Sequence, residues 1–320
     1  MTEAAHSSEH REAGHREKAL VALSSVLAAV LLTSLKVSVG LATGSLGILS
    51  EAAHSALDLV AAAVTLWAVR ASARPADAQH PYGHGKFENF SALLETLLLL
   101  ATCAWIVGES VERLFFHPVE VEVTPWAFGV MAVSIAVDVS RSRALRRAAA
   151  RYGSQALEAD ALHFSSDVWS SSVVIAGLAA VRAGERLGLP WLRHADAVAA
   201  LGVAAIVVYA SARLGKRSID DLLDAVPPEV RARVAGAARV PGVVEVRQTR
   251  VRRSGPETFA DVTVAVAREL SIERAHEVAS AVEEAIRAAV PGADATVHVE
   301  PAEASAPSGR EEGADPPPTR

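Results

Sequence analysis

The amino-acid sequence predicts a membrane α-helical fold of six transmembrane helices, followed by a small cytoplasmic α+β domain. Hydrophobic residues make up 51% of the 320 residues and the mean hydropathy is +0.25, which is high for a soluble protein. Aromatic residues are only 5%, so the apolar residues are mainly Ala, Val and Leu, which suit packed helices better than strands. The apolar segments also end near residue 217, where the composition becomes that of a soluble domain.

Six apolar segments are long enough to be membrane spans, because about 20 helical residues cross the roughly 30 Å of bilayer hydrocarbon. The second and fifth segments contain His and Asp near their centres, whereas the other four are plainly apolar. The predicted spans lie near residues 19–42, 46–69, 89–112, 124–140, 158–181 and 195–213.

Basic residues in the short loops predict the orientation. Lys and Arg are concentrated between spans two and three and between spans four and five, whereas the ATGSLG loop has no charge. The positive-inside rule places the basic loops in the cytoplasm, so that six spans leave both termini there. Residues 1–18 are polar, lack the features of a signal peptide and are predicted to be a cytoplasmic tail. The expected location is therefore the cell membrane, with the lipid bilayer around residues 19–217.

Residues 218–301 are predicted to form the cytoplasmic α+β domain. Pro227 and Pro228 open a helix, and alternating β-branched residues indicate strands in VVEVRQTRV and FADVTVAVA. SIERAHEVASAVEEAIRAAV has apolar residues at helical spacing, and DATVHVEP is predicted to be the last strand. The remaining residues, 302–320, are rich in Pro, Gly and Glu and are predicted to be disordered.

Charge and cysteine content exclude several classes of protein. The formal net charge is -6 and no long basic block occurs, so nucleic acid is not an expected partner. The single cysteine, Cys103, excludes disulfide scaffolds and sites built from several thiolates. Any metal must therefore be bound by His and carboxylate side chains.

Two pairs of polar residues inside predicted spans are the strongest candidates for a functional site. His54 and Asp58 in span two, and His163 and Asp167 in span five, each follow the pattern His-x-x-x-Asp, which puts both side chains on one helix face. Polar residues at mid-bilayer are costly and therefore functional candidates. Together the pairs supply two imidazoles and two carboxylates, which fit Zn²⁺ and, less well, Co²⁺, Cd²⁺ or Fe²⁺. Asp160 is a candidate acceptor for the ring N–H of His163.

The loop after span two, RPADAQHPYGHGKFEN, contains a second set of possible metal ligands. Asp77, His80 and His84 lie close together in this loop, which favours a more exposed metal site. The alternative is a charged loop at the lipid headgroups. Lys86 follows directly and is expected to pair with an acidic residue near the entry to the cytoplasmic domain, where Asp220, Asp221 and Asp224 are available and Asp224 is the candidate partner.

The segments GSLGILSEAAHSALDLV, HPYGHGKFEN and EADALHFSSDVWSSS resemble the cation diffusion facilitator family of divalent-metal/proton antiporters. The resemblance covers about residues 15–301. It implies a homodimer of six-helix protomers with a metallochaperone-like cytoplasmic domain, and a transport site formed by His54, Asp58, His163 and Asp167. Members with His at the first of these positions are generally zinc-selective.

The resemblance also implies metal ligands in the cytoplasmic domain. Candidate residues there are Asp261, His276, His298 and Glu300. Some relatives have further histidines on the two central strands, where this chain has Arg247 and Thr263. This difference argues against a two-metal bridge and leaves a single regulatory site as the expectation.

The expected function is export of Zn²⁺ from the cytoplasm in exchange for H⁺, by alternating access. No phosphate-binding Gly-rich loop with its Lys occurs, so protons rather than ATP are the expected energy source. A broader exporter of Co, Cd, Fe or Mn is the alternative within this class. Two other classes are a membrane-embedded zinc hydrolase, disfavoured because no His-Glu-x-x-His motif occurs, and a membrane-anchored metal sensor.

Overall fold

The computed structural model describes residues 2–115, 125–187 and 195–303. The chain divides into two compact units, which are described separately. The helical unit ends at Ala225 and also contains Arg253–Glu257, whereas the α/β unit contains Val226–Arg252 and continues from Thr258. Residues 304–320, part of the segment predicted to be disordered, lie outside the described residues.

Among the residues that the structure describes, six long helices, α1 to α6, form the helical unit, and they correspond in order to the six predicted spans. Charged residues such as Arg141 in α4 and Asp167 in α5 interrupt the apolar sequence of some of these helices. Within the described residues, three segments are long and apolar enough to cross a membrane: Ala13–Thr43, Glu51–Ser72 and Lys86–Gly108. The helices are α1 Thr2–Thr43, α2 Leu46–Ser72, α3 Lys86–Phe115, α4 Pro125–Tyr152, α5 Gln155–Leu187 and α6 Ala195–Leu222.

Helix α1 begins at Thr2, far before residue 19, where the first span was predicted to start. Two residues just before the predicted span, Glu17 and Lys18, have partners in the helical unit. Lys18 is 2% exposed and its Nζ lies 2.6 Å from Oε1 of Glu88. Glu17 accepts hydrogen bonds from Arg151, at 3.3 Å, and from the hydroxyl of Tyr152. The segment predicted to be a tail therefore includes residues that pack on α3 and α4.

Small side chains allow the helices of this unit to pack closely. The main buried cluster joins α1, α2, α4 and α5, and alanines form much of it. Small residues at such contacts let helix backbones approach one another. Its fully buried members include Ala22, Ala62, Leu145, Ala156, Leu157 and Phe164.

In its described part, which ends at residue 303, the α/β unit contains two helices and a three-stranded sheet, so the predicted membrane helical plus α+β fold class is confirmed. The strand order is β1-β2-β3, and β2 pairs with β3 in parallel with Val262 opposite Val297. Val282 and Ile286 on the buried face of the second helix are fully covered by the sheet and its neighbours. The elements are α7 Pro228–Ala237, β1 Val243–Ser254, β2 Glu257–Val266, α8 Ile272–Ala289 and β3 Ala293–Pro301.

Candidate metal centre

The two His-Asp pairs lie on α2 and α5 of the helical unit. His54 and Asp58 are one turn apart on α2, and His163 and Asp167 are one turn apart on α5. A helix places residues four positions apart on the same face. Because α2 and α5 contribute to the same buried cluster, their two polar faces are held against each other.

The four side chains form a ring in which imidazole nitrogens alternate with carboxylate oxygens. Nε2 of His163 lies 3.0 Å from Oδ1 of Asp58 and 3.7 Å from Oδ2 of Asp167. Nε2 of His54 lies 3.8 Å from Oδ1 of Asp58 and 4.0 Å from Oδ1 of Asp167. Donor atoms of His54, Asp58 and Asp167 lie within 4.8 Å of one another, and His163 contacts both carboxylates. Two nitrogen and two oxygen donors are a set that suits tetrahedral Zn²⁺.

Burial differs between the members of the ring. The side chains of His163 and Asp58 are 8% and 12% exposed, whereas those of Asp167 and His54 are 20% and 33% exposed. The ring therefore has an inner side, at His163, and an outer side, at His54.

A buried arginine lies behind the inner side of the ring, and sequence reasoning missed it. The ring of Phe164 packs edge to face on the imidazole of His163, with centroids 5.3 Å apart. The guanidinium carbon of Arg141 lies 3.5 Å from the centroid of Phe164. Arg141 also contacts Asp138, at 3.2 Å, and Ser25, at 3.0 Å. The sequence places Arg141 among the basic residues of the loop between spans four and five, because span four is predicted to end near residue 140.

Asp160 is buried but does not act as the acceptor for His163. Its Oδ2 accepts a hydrogen bond from Oγ of Ser25 at 3.2 Å. Among the described residues, neither Oδ1 of Asp160 nor Nδ1 of His163 has a hydrogen-bond partner. The expectation that Asp160 accepts the ring N–H is therefore wrong, because its carboxylate is directed towards α1.

The loop between α2 and α3 brings Asp77, His80 and His84 together. Oδ1 of Asp77 lies 3.2 Å from Nδ1 of His80, and Oδ2 lies 3.4 Å from Nε2 of His84. The backbone N–H of His80, 2.7 Å from Oδ1, and that of Gln79, at 2.8 Å, lower the pKa of Asp77, the former more strongly. Asp77 thus stays ionised between two imidazoles, an arrangement that can bind a divalent cation.

Lys86 pairs with the acidic residue proposed for it. Its Nζ lies 2.8 Å from Oδ1 of Asp224 and donates to the carbonyl oxygen of Leu222 at 3.2 Å. The neighbouring acids have other partners, since Asp220 contacts Lys216 and Asp221 accepts from Gln155.

A buried polar layer next to this loop was not anticipated from the sequence. Glu88 is fully buried and accepts from Lys18 at 2.6 Å, from Ser72 at 2.9 Å and from Ser154. None of these four residues belongs to a sequence pattern that marks it as buried, and only the tertiary fold brings them together. The HGKFEN motif, which contains Glu88, was the available signal.

A second part of this layer lies around Asn89. Asn89 donates to Gln155 at 2.9 Å and to Asp221 at 3.3 Å, and burial raises the pKa of Asp221. These contacts tie α3, α5 and α6 together at one end of the helical unit.

The candidate ligands of the α/β unit are less well assembled. Nε2 of His298 lies 3.7 Å from Oε1 of Glu300, but Oε2 of Glu300 accepts from Arg247. Neither Asp261 nor His276 supplies a third donor to the pair of His298 and Glu300. Within the described residues, groups of three or more metal-binding side chains occur only at the α2/α5 ring and the α2–α3 loop.

Two family models match the chain. The family described as "Cation efflux transmembrane domain" matches residues 22–223, and the family described as "Cation efflux protein, cytoplasmic domain" matches residues 226–302. The ring and the loop cluster both lie within the first of these matches.

Individual relatives match over nearly the whole length. The chain is 31% identical over 293 residues to the cation-efflux pump FieF of Pectobacterium atrosepticum, covering 89% of this chain and 93% of that protein. It is 32% identical over 291 residues to FieF of Cronobacter sakazakii, covering 88% and 91%. A solved nickel form of a MamM CTD variant is 33% identical, with a TM-score of 0.23, and covers 24% of this chain and 100% of that chain.

Proposed function

Because this chain belongs to the cation diffusion facilitator family of cation efflux transporters, we propose that it exports Zn²⁺ from the cytoplasm in exchange for protons. Family membership makes the protein a multi-pass membrane exporter of divalent metal ions, and a transporter rather than an enzyme. Its cytoplasmic domain indicates that it forms a homodimer.

In this proposal the ring of His54, Asp58, His163 and Asp167 binds the transported ion. The four donors are supplied by two helices, so a relative movement of α2 and α5 opens or closes the ring. The two imidazoles favour Zn²⁺ over hard ions such as Mn²⁺, which prefer oxygen ligands.

The contact between His163 and Asp58 is the observation that supports proton exchange. Nε2 and Oδ1 are 3.0 Å apart, which is hydrogen-bond distance, and such a bond requires a proton between the two atoms. In the proposed cycle the metal-free imidazole of His163 carries a proton on both ring nitrogens, so an ion that binds to the lone pairs of Nε2 and Oδ1 releases the proton between them, whereas Nδ1 keeps its own. Protons that return from the other side of the membrane displace the metal and complete the cycle.

The loop of Asp77, His80 and His84 is proposed to bind metal on the cytoplasmic side. The basic residues in the same loop support this orientation by the positive-inside rule, which also puts both termini in the cytoplasm. The pair of Lys86 and Asp224 then fixes the start of α3 to the end of α6, next to the loop.

Transport in proteoliposomes tests the proposal. Purified protein is reconstituted with a zinc-sensitive dye and a pH-sensitive dye inside the vesicles. An imposed gradient with the acidic side opposite the zinc should accelerate zinc flux, and zinc movement should release protons in return. An Asp167→Asn control should move neither.

Two results would change the proposal. Zinc flux that ignores the gradient, with no counter-movement of protons, would make the protein a passive facilitator. Equal flux of Co²⁺, Cd²⁺, Fe²⁺ or Mn²⁺ in competition with Zn²⁺ would make it a broader metal exporter.

A further inference from the structure

The carboxylate of Glu300, a predicted metal ligand of the cytoplasmic domain, is bound by an arginine of the same domain. Nη1 of Arg247 donates to Oε2 of Glu300, and Nη2 donates to the carbonyl oxygen of Pro301 at 3.5 Å. Nε of Arg247 lies 3.6 Å from Oε2 of Glu245. The hydrogen bond to Glu300 raises the pKa of Arg247, so the guanidinium is permanently charged.

The remaining donors do not form a metal site around this pair. His298 and Glu300 are two residues apart on β3 and therefore on the same face of the sheet. The residue paired with His298 on β2 is Thr263, whose neutral hydroxyl is a poor substitute for the imidazole or carboxylate that zinc prefers. Asp261 lies two positions further along β2, roughly 7 Å away. The donor set is thus one imidazole and one carboxylate that already has a cation.

We propose that Arg247 is a built-in cation that replaces the regulatory metal of the cytoplasmic domain. The guanidinium neutralises Glu300, and it would repel a divalent ion that approached the same carboxylate. The domain of this chain is therefore not a metal sensor, and its conformation does not depend on the supply of metal in the cytoplasm.

Metal binding to the full-length dimeric protein tests this inference separately from transport. The parent protein carries Asp58→Ala, Asp167→Ala, His80→Ala and His84→Ala, which remove the ring and the loop cluster. Zinc bound per protomer is measured by equilibrium dialysis and elemental analysis. The parent is expected to bind no zinc at micromolar concentrations.

A matched pair of variants in this parent isolates the role of the arginine. Thr263→His adds an imidazole opposite His298, and Arg247→Gln frees the carboxylate of Glu300. We expect Thr263→His with Arg247→Gln to bind zinc about 10- to 100-fold more tightly than Thr263→His alone. Thr263→His with Arg247→Lys, which keeps a cation, should resemble Thr263→His alone.

Two outcomes would overturn the proposal. The first is zinc binding by the parent that is lost on Glu300→Gln, which would show that the domain has a metal site despite Arg247. The second is equal zinc affinity of Thr263→His with and without Arg247→Gln. Neither outcome depends on whether the protein exchanges zinc for protons, because no flux is measured.

Discussion

The helical unit has ionisable side chains that meet in its interior, in addition to pairs at its surface, whereas the described ion pairs of the α/β unit lie at the surface. The ion pair of Lys18 and Glu88 in the helical unit has side chains that are 3% and 0% exposed. The pair of Arg274 and Glu277 on α8 has side chains that are 67% and 61% exposed. A buried charge needs its partner, whereas an exposed one can be satisfied by water.

The same difference separates the two sets of candidate metal ligands. His163 in the α2/α5 ring is 8% exposed, and two carboxylates face its nitrogen within 3.7 Å. His298 in the sheet is 71% exposed, and the carboxylate nearest to it is shared with Arg247. Similar residue types are therefore preorganised in the ring, where the fold removes competing water and competing cations, but not in the sheet, where it removes neither.

The largest effect is expected from the ring. Asp58→Ala or Asp167→Ala should reduce zinc transport in proteoliposomes to the background of empty vesicles, because each removes an anionic donor from a four-donor site. Asp294→Ala, which removes an exposed carboxylate of β3, is the matched control and should transport normally. Normal flux in either ring variant would rule out the ring as the transport site.

The buried ion pair should dominate stability. Lys18→Met leaves Glu88 as a buried charge with only serine donors, and we expect it to destabilise the protein by about 3–5 kcal/mol. Denaturant unfolding in detergent measures this loss. The double variant Lys18→Met/Glu88→Leu removes both charges and should recover most of the stability. An equal loss in the single and double variants would contradict the argument from burial.

Metal selectivity should respond to the outer side of the ring. His54→Asp replaces a nitrogen donor with a harder oxygen, so flux of Mn²⁺ relative to Zn²⁺ should rise on the order of tenfold, or about 1.4 kcal/mol. Competition assays with mixed ions measure the ratio, and His54→Ala tests whether loss of the imidazole alone is sufficient. An unchanged ratio would remove His54 as a selectivity determinant.

An intermediate effect is expected at the loop cluster of Asp77, His80 and His84, where the pH dependence of zinc binding tests the role of the carboxylate. The pKa of Asp77 is lowered, chiefly by the backbone N–H of His80. Its carboxylate is therefore charged at every pH above the usual pKa of an aspartate, and it loses this charge only when the pH falls through the lowered pKa. In an Asp58→Ala/Asp167→Ala background, Asp77→Asn should therefore weaken zinc binding at every pH between about 7 and about 5. Equal zinc affinity with and without Asp77→Asn across this range would show that the carboxylate is not a ligand.

The smallest effect is expected at the exposed pair on α8. Arg274→Ala removes its contact with Glu277 and should change the free energy of unfolding by less than about 0.5 kcal/mol, because exposed ion pairs contribute little. The same unfolding assay measures it beside Lys18→Met. A loss as large as that of Lys18→Met would break the distinction between the two units.

The ring could be predicted from the sequence because helix geometry is regular. The spacing of His54 to Asp58, and of His163 to Asp167, fixes each pair on one helix face without knowledge of the rest of the fold. The apolar context of both helices then made these polar residues conspicuous. Fold class followed from the same regularities of span length and strand alternation.

Contacts between distant segments could not be predicted in this way. Lys18 and Glu88 are 70 positions apart, and neither lies in a pattern that distinguishes it from a surface residue. Arg247 and Glu300 lie on strands separated by β2, so their contact depends on the strand order of the sheet. Helix before residue 19 was missed for the same reason, since Lys18 and Glu17 find their partners on α3 and α4.

In the proposed exchange of metal for protons, the composition of the α2/α5 ring also determines how transport would respond to membrane voltage. Two ionised carboxylates and two neutral imidazoles carry a charge of about -2, which one divalent ion or two protons neutralise equally. Exchange of one divalent ion for two protons moves no net charge across the membrane, so the membrane potential neither drives nor opposes this exchange. Exchange of one ion for one proton would instead move one net charge, and its driving force would change by about 2.3 kcal/mol per 100 mV. The ring thus makes chemical gradients alone sufficient to power export when two protons enter for each ion that leaves.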